Sequence, residues 1–182
     1  MPSNVEIKAI LRDRPRVEAL AAKLADRGPQ LIQQEDFFFP CADARLKLRV
    51  LGEGSGELIR YNRPDGSGMR TSQYLIARTP DPRTLLEILT KTLGLSGVVK
   101  KERTLYLIGQ TRVHFDRVEG LGDFLELEVV MRVEQPEEDG RAVAESLIFT
   151  LGIQTNDLIG GAYVDLLAVK NPPTGTKVVI PT

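Results

Sequence analysis

The stretch that decides the fold is TRVHFDRVEGLGDFLELEVVM, residues 111–131. In residues 112–116 ionic and apolar side chains alternate one by one, and residues 125–129 repeat the alternation with Glu126 and Glu128 as the ionic members. Successive side chains of a strand point to opposite faces, so each half predicts a strand with one ionic and one apolar face. The Gly120-Leu121-Gly122 break between them predicts a turn.

The same alternation appears in two other places. In residues 5–8 the ionic members are Glu6 and Lys8, and in residues 46–50 they are Lys47 and Arg49. An ionic face on one strand ordinarily lies in water, because antiparallel sheets often face solvent on one side. Four such strands weaken that interpretation, since their ionic residues are also sorted by sign.

The sorting gives an acidic and a basic group. The acidic group is Asp116, Glu126 and Glu128, and the basic group is Lys47, Arg49, Lys101, Arg103 and Arg112. Carboxylate oxygens suit Mg²⁺ or Mn²⁺, and Lys and Arg side chains bind phosphate oxygens. If the sheet closes with its ionic faces inward, a polyanion and a metal are the natural filling, because buried unpaired charges are very costly.

Period-two alternation predicts about eight strands, and capping and breaker residues predict three helices with a short fourth. The predicted strands are residues 5–11, 31–39, 44–51, 57–63, 70–78, 98–108, 112–118 and 123–131, and the predicted helices are 15–27, 81–93, 136–151 and 163–169. Pro40 is expected to end the strand that contains three consecutive phenylalanines. The fold class is therefore α+β, a charged antiparallel barrel with amphipathic helices packed on the outside.

Length and composition bound the remaining possibilities. The chain has 182 residues, 42% of them hydrophobic, which predicts a single domain over residues 1–170 and a flexible tail over residues 171–182. Its 24 Lys and Arg nearly balance its 25 Asp and Glu, so no overall field indicates nucleic acid or a membrane as partner. Cys41 is the single cysteine, and neither a signal segment nor an apolar run of ~20 residues is present, so we expect a cytoplasmic protein.

Seven motifs in order resemble one known family. They are NVEIKA (4–9), LKLR (46–49), LIRYNRPD (58–65), RTSQY (70–74), KKER (100–103), TRVHFD (111–116) and GLGDFLELE (120–128). The sequence resembles the CYTH domain, or triphosphate tunnel metalloenzyme, superfamily, and most of all its class IV adenylate-cyclase-like branch. The resemblance covers nearly all of residues 4 to 168.

The resemblance implies an eight-stranded antiparallel tunnel that holds a triphosphate and Mg²⁺ or Mn²⁺. By position, the metal ligands would be Glu6, Asp116, Glu126 and Glu128. The triphosphate-binding residues would be Lys8, Lys47, Arg49, Arg63, Arg70, Lys101, Arg103 and Arg112. The catalytic residues would be Glu6, Lys8, Arg103 and Glu126. Arg70 stands where a Lys is usual, which keeps the charge and changes the hydrogen-bond geometry.

Asn4 departs from the family signature, because it occupies the position of the first glutamate. An amide oxygen can still coordinate a metal or orient a water, but one negative charge is lost from the site. A mechanism that uses this acid as general base therefore does not carry over. Tyr61 and Tyr74 either line the tunnel and contact a nucleobase or sugar, or pack against other residues; we favour packing, because aromatic residues on strands most often pack.

Three hypotheses in which the protein binds a triphosphate follow. The first is a metal-dependent phosphohydrolase that acts on inorganic triphosphate, thiamine triphosphate or a nucleoside triphosphate. The second is a class IV adenylate cyclase that converts ATP to cyclic AMP and pyrophosphate. The third, raised by Asn4, is a non-catalytic module that binds polyphosphate or nucleotide. A structural β-domain with a solvated ionic face would bind none of these ligands. A homodimer is also possible, because such domains are commonly dimeric.

Overall fold

A computed structural model describes residues 3–62 and 69–171. Arg63 and the predicted tail beyond residue 171 lie outside these described residues. The strands are β1 (Ser3–Ile10), β2 (Arg27–Phe39), β3 (Arg45–Leu51), β4 (Gly56–Asn62), β5 (Arg70–Thr79), β6 (Gly97–Ile108), β7 (Thr111–Val118), β8 (Gly122–Val130) and β9 (Leu158–Ile159). The helices are α1 (Arg14–Leu24), α2 (Pro82–Leu93), α3 (Glu137–Leu151) and α4 (Tyr163–Lys170), with a 3₁₀ turn at Thr155–Asp157.

The first eight strands form a closed antiparallel barrel. Around the barrel their order is β5, β4, β3, β2, β6, β7, β8 and β1, and β1 pairs back with β5. On that edge of β1, β5 pairs with residues 3–6, and β9 pairs with Lys8 and Ala9 beyond them. The predicted eight-stranded antiparallel barrel with helices outside is confirmed.

The element boundaries agree with the predictions except around residue 27. Helix α1 ends at Leu24, and the prediction that it runs to Arg27 is wrong. Arg27 instead begins β2, because the chain already pairs with β6 there: the Asp26 amide donates to the Leu107 carbonyl at 2.8 Å. The short strand β9 and the 3₁₀ turn before it were not predicted. Strand β2 does end at Phe39, directly before Pro40.

The apolar faces of the strands point outward and are covered by helices. The largest cluster joins the outward residues of β1, β7 and β8, including the fully buried Phe115 and Leu127, to Val17 of α1 and Leu151 of α3. Burying a side chain of this size stabilises the fold by about 1.5–3 kcal/mol. Helix α2 covers Leu48 and its neighbours on β2 and β3 in the same way. With their apolar faces covered by helices, these strands turn their ionic faces inward.

Helix α3 approaches β1 closely because it carries a glycine at the contact. A Cβ added to Gly140 would collide with the Met131 sulfur and would lie 2.9 Å from Val5 Cγ2. Gly140 is therefore required for close packing of α3. None of the helices within residues 3–62 and 69–171 is long and apolar enough to cross a membrane.

Candidate functional site

The barrel encloses a charged cavity of about 790 Å³, including space open to solvent. Side chains from β1 to β8 line it, together with Tyr163 at the start of α4. The ionic rows that alternation placed on one face of each strand point into this cavity. Its lining residues are Asn4, Glu6, Lys8, Asp36, Phe38, Lys47, Arg49, Ile59, Tyr61, Ser72, Tyr74, Ile76, Val99, Arg103, Arg112, Glu126, Glu128, Ala162 and Tyr163.

The register of β1 against β8 brings the signature residues together. Glu6 lies opposite Glu128, and Lys8 lies opposite Glu126. The Lys8 ammonium is 3.8 Å from a Glu126 oxygen and donates to the Gly161 carbonyl at 3.3 Å. One carboxylate and one ammonium group of β1 thus lie opposite two carboxylates of β8.

Asp116 lies at the centre of a closed ion-pair network. It is fully buried, and Arg103 donates to its two oxygens at 2.6 and 2.7 Å. Lys101 donates to the same carboxylate at 2.9 Å and the Tyr163 hydroxyl donates at 3.0 Å. Burial alone would raise the pKa of Asp116, but the charges of Arg103 and Lys101 outweigh burial and hold that pKa well below its usual range. With four donors on its oxygens, Asp116 anchors the basic residues; its role as a metal ligand stays a prediction.

Glu126, Glu128 and His114 form a group that fits a metal ion. One ligand atom from each lies within 4.8 Å of the others. Glu126 accepts from Arg103 at 2.8 Å, and Glu128 contacts His114 Nδ1 at 3.7 Å and Arg112 at 3.5 Å. The charges around both carboxylates outweigh burial and lower their pKa values, so both are ionised at neutral pH.

His114 joins this group in its neutral form. Burial, reinforced by the charge of Arg103, lowers the pKa of His114 to about 4. Within the described residues its Nδ1 atom is buried and accepts or donates no hydrogen bond. A neutral imidazole nitrogen without a partner, beside two carboxylates, is a donor set that fits a divalent cation. A metal role for His114 was not predicted, because His114 lies opposite Glu126 only once β7 and β8 are paired.

A second ion-pair cluster lies on β2 and β3. Lys47 and Arg49 both point into the cavity, and both bind Asp36, a residue that the sequence analysis did not single out. Gln34 also donates to Asp36, at 3.1 Å. The available signal was the alternation of Gln34 and Asp36 along β2, which the three consecutive phenylalanines obscure.

The remaining predicted residues are placed as follows. Arg70 is buried and donates to the Ile159 carbonyl at 3.4 Å, while the Arg112 side chain is 44% exposed at the edge of the cavity. Asn4 is buried against β5 and lines the cavity, and its side-chain oxygen has no hydrogen bond from any described residue. The sequence also missed Tyr163, whose ring lies 3.9 Å from the Lys8 ammonium.

One wall of the cavity is aromatic and aliphatic. Tyr61 of β4 lies directly opposite Tyr74 of β5, and both line the cavity with Ile59 and Ile76. Ile76 is 46% exposed, so this wall is open to a ligand. Packing was the favoured interpretation from the sequence, but Tyr61 and Tyr74 line the cavity instead. The reason is that closing the barrel turns their face of the sheet inward.

A closed eight-stranded antiparallel barrel with acidic and basic side chains in its interior is the architecture of a triphosphate tunnel protein. Residues 3–163 match the CYTH domain family, and the chain belongs to that family. The resemblance found from the motifs is therefore confirmed, and members of this family act on triphosphates.

One sequence relative and two solved structures with the same fold each match nearly the whole chain. Adenylate cyclase CyaB of Aeromonas hydrophila is 28% identical, covering 88% of this chain and 86% of its own. The PH1012 protein of Pyrococcus horikoshii has the same fold, with a TM-score of 0.78 and 24% identity over 90% of this chain and 98% of its own. HpAC1 from Hippeastrum, described with a dominant triphosphatase activity, has a TM-score of 0.65 and 14% identity over 93% of this chain and 95% of its own.

Proposed function

We propose that this protein is a divalent-metal-dependent phosphohydrolase that acts on a triphosphate bound in the tunnel. The observation that carries the proposal is that basic side chains of both ion-pair clusters line one cavity with Glu126 and Glu128, whose carboxylates lie within 4.8 Å of His114.

The basic side chains would bind the phosphate groups. Lys8, Lys101 and Arg103 surround Asp116 and Glu126 on one wall, and Lys47 and Arg49 surround Asp36 on another. Each of these cations already holds carboxylate oxygens, and phosphate oxygens accept the same charge-assisted hydrogen bonds. A triphosphate between the two walls would therefore meet donors along its length.

Glu126, Glu128 and His114 would hold Mg²⁺ or Mn²⁺, with Glu6 beside them opposite Glu128. When bound, such a cation neutralises phosphate charge as a Lewis acid. The ionised Glu128 carboxylate accepts a hydrogen bond from a water and orients it for attack on phosphorus. Lys8 and Arg103 stabilise the negative charge that develops on the phosphate oxygens during the reaction.

The test is a panel of inorganic triphosphate, thiamine triphosphate and ATP, each with Mg²⁺ and with Mn²⁺. Phosphate, pyrophosphate and cyclic nucleotide are measured together in every reaction. Release of orthophosphate supports the hydrolase. Tight binding of tripolyphosphate by calorimetry, without turnover of any substrate, would instead favour the binding module that Asn4 raises as an alternative.

Adenylate cyclase activity is the second candidate, and the tyrosine wall favours it. Tyr61 and Tyr74 offer flat aromatic surface inside the tunnel, which inorganic triphosphate would leave unused and a nucleobase would contact. The Aeromonas hydrophila relative also carries the name adenylate cyclase. Cyclic AMP and pyrophosphate from ATP, without free phosphate, would replace the hydrolase proposal with this one.

A pair of variants tests the metal group separately from turnover. Glu128→Gln removes a charge from the proposed ligand set, whereas Glu119→Gln removes one from the exposed turn between β7 and β8. We expect Mn²⁺ binding, measured by calorimetry, to weaken at least about tenfold in Glu128→Gln and to be unchanged in Glu119→Gln. Equal affinities in the two variants would exclude Glu128 as a ligand.

A further inference from the structure

Asp36 binds both of the basic side chains of β3 that line the tunnel, Lys47 and Arg49. Its side chain is 4% exposed and points into the tunnel. Lys47 Nζ donates to one oxygen at 2.7 Å, and Arg49 Nε donates to the other at 3.0 Å. A further bond from Arg49 Nη2 at 3.3 Å and one from Gln34 at 3.1 Å complete four donors.

The strand register places these three residues together. Asp36 lies directly opposite Arg49 on the neighbouring strand, and Lys47 is two residues away on the same face of β3. The Lys47 and Arg49 side chains are only 13% and 19% exposed, so water screens their mutual repulsion poorly. The carboxylate therefore compensates two like charges that the fold forces side by side.

Lys47 is the member of this cluster that can lose its positive charge near neutral pH. It faces Asp36 from β2, Lys101 from β6, the Tyr61 ring from β4 at 5.5 Å, and Arg49 on its own strand. The pKa of Lys47 is lowered to about 8: burial lowers it most, repulsion from Arg49 and Lys101 adds to that lowering, and Asp36 opposes it. An arginine stays protonated under all these conditions, so loss of Asp36 would be relieved by deprotonation of Lys47.

We propose that Asp36 is a positioning residue that keeps Lys47 protonated and Arg49 oriented toward the tunnel before a triphosphate binds. Asp36 would not contact the reacting phosphorus; it would act through the two cations. As regards phosphate binding, this inference rests on the proposed function. The charge state of Lys47 in the ligand-free protein does not, so it can be tested separately.

The first experiment follows the Lys47 side-chain carbon signal by NMR across pH in the ligand-free protein, with Lys47→Arg to assign it. In the wild type we expect a titration midpoint near pH 8. In Asp36→Asn we expect the midpoint to fall by about one pH unit or more, because an opposite charge at this distance shifts a pKa by roughly 1 to 3. Asp43→Asn, which removes an exposed carboxylate in the adjoining loop, is the matched control and should leave the midpoint unchanged.

An unchanged Lys47 midpoint in Asp36→Asn overturns the proposal. If that variant does not fold, the substitution is repeated in an Arg49→Gln background, where one buried cation fewer must be compensated. There too Asp36→Asn must lower the Lys47 midpoint relative to Arg49→Gln alone, and no change again overturns the proposal.

The second experiment measures tripolyphosphate binding by calorimetry at pH 6 and pH 7.5. We expect Asp36→Asn to bind at least about threefold more weakly than the wild type at pH 7.5, where Lys47 is mostly protonated in the wild type and mostly neutral in the variant, and to approach or exceed the wild type at pH 6. A ratio of affinities that does not change with pH contradicts the proposal. Absence of tripolyphosphate binding by the wild type would refute the proposed function, while the NMR titration would still decide the role of Asp36.

Discussion

Replacing Arg103 by methionine would remove the cation on which two buried carboxylates depend. The Arg103 side chain is 5% exposed and makes three hydrogen bonds of 2.6, 2.7 and 2.8 Å to Asp116 and Glu126. Methionine is of similar length but offers no donor. Breaking a buried pair by removing one partner costs about 3–5 kcal/mol, because the remaining charge is left uncompensated.

We expect a loss near the lower end of that range, since Lys101 and Lys8 still face the same carboxylates. Urea unfolding should therefore show a free energy of unfolding about 3 kcal/mol lower than that of the wild type. The Tm should fall by roughly 6–12 °C, because each kcal/mol shifts the Tm of a domain this size by about 2–4 °C. Arg117→Met is the control: its side chain is 63% exposed and pairs with Asp123 at the surface, so it should cost at most about 1 kcal/mol.

The difference in the free energy of unfolding between wild type and Arg103→Met should also depend on pH in a defined direction. In the folded protein the pKa values of Asp116 and Glu126 lie below the values that the same side chains have in the unfolded chain. Their ionisation therefore stabilises the fold above about pH 4, and this stabilisation is lost as the pH falls further. Arg103→Met has less of this contribution to lose. The gap should therefore be wide at pH 7 and narrow below about pH 4. Equal losses in Arg103→Met and Arg117→Met, or a gap that does not narrow, would refute the reasoning.

Three further substitutions test the packing around the tunnel by thermal unfolding. Gly140→Ala should destabilise by about 1–3 kcal/mol through collision with Met131, although the same change at an open helix position usually stabilises; a higher Tm would contradict the close approach of α3. Tyr163→Phe should cost about 1 kcal/mol, because Asp116 loses one of its four donors; no change would show that this hydrogen bond contributes nothing. Phe115→Ala should cost about 3–5 kcal/mol, because the ring is fully buried, and a loss below 1 kcal/mol would contradict its place in the core.

Local sequence was sufficient to predict which residues share a face. The alternation in residues 111–131 predicted two strands with ionic faces, and β7 and β8 have the expected inward and outward residues. Turn and capping residues placed the strand and helix ends within a few positions, apart from the start of β2. These features are local, because side-chain direction on a strand depends only on the backbone geometry of neighbouring residues.

The sequence alone determined that this chain has ionic strand faces sorted by sign, and the ordered motifs identified its family. Only the tertiary structure decided which charges meet, because alternation fixes the face of a residue and not the register between distant strands. Barrel closure brought Lys8 to Glu126, His114 to two glutamates, and Asp36 between Lys47 and Arg49. These partners come from different strands, and their electrostatic interactions depend on distances that exist only after all eight strands have paired.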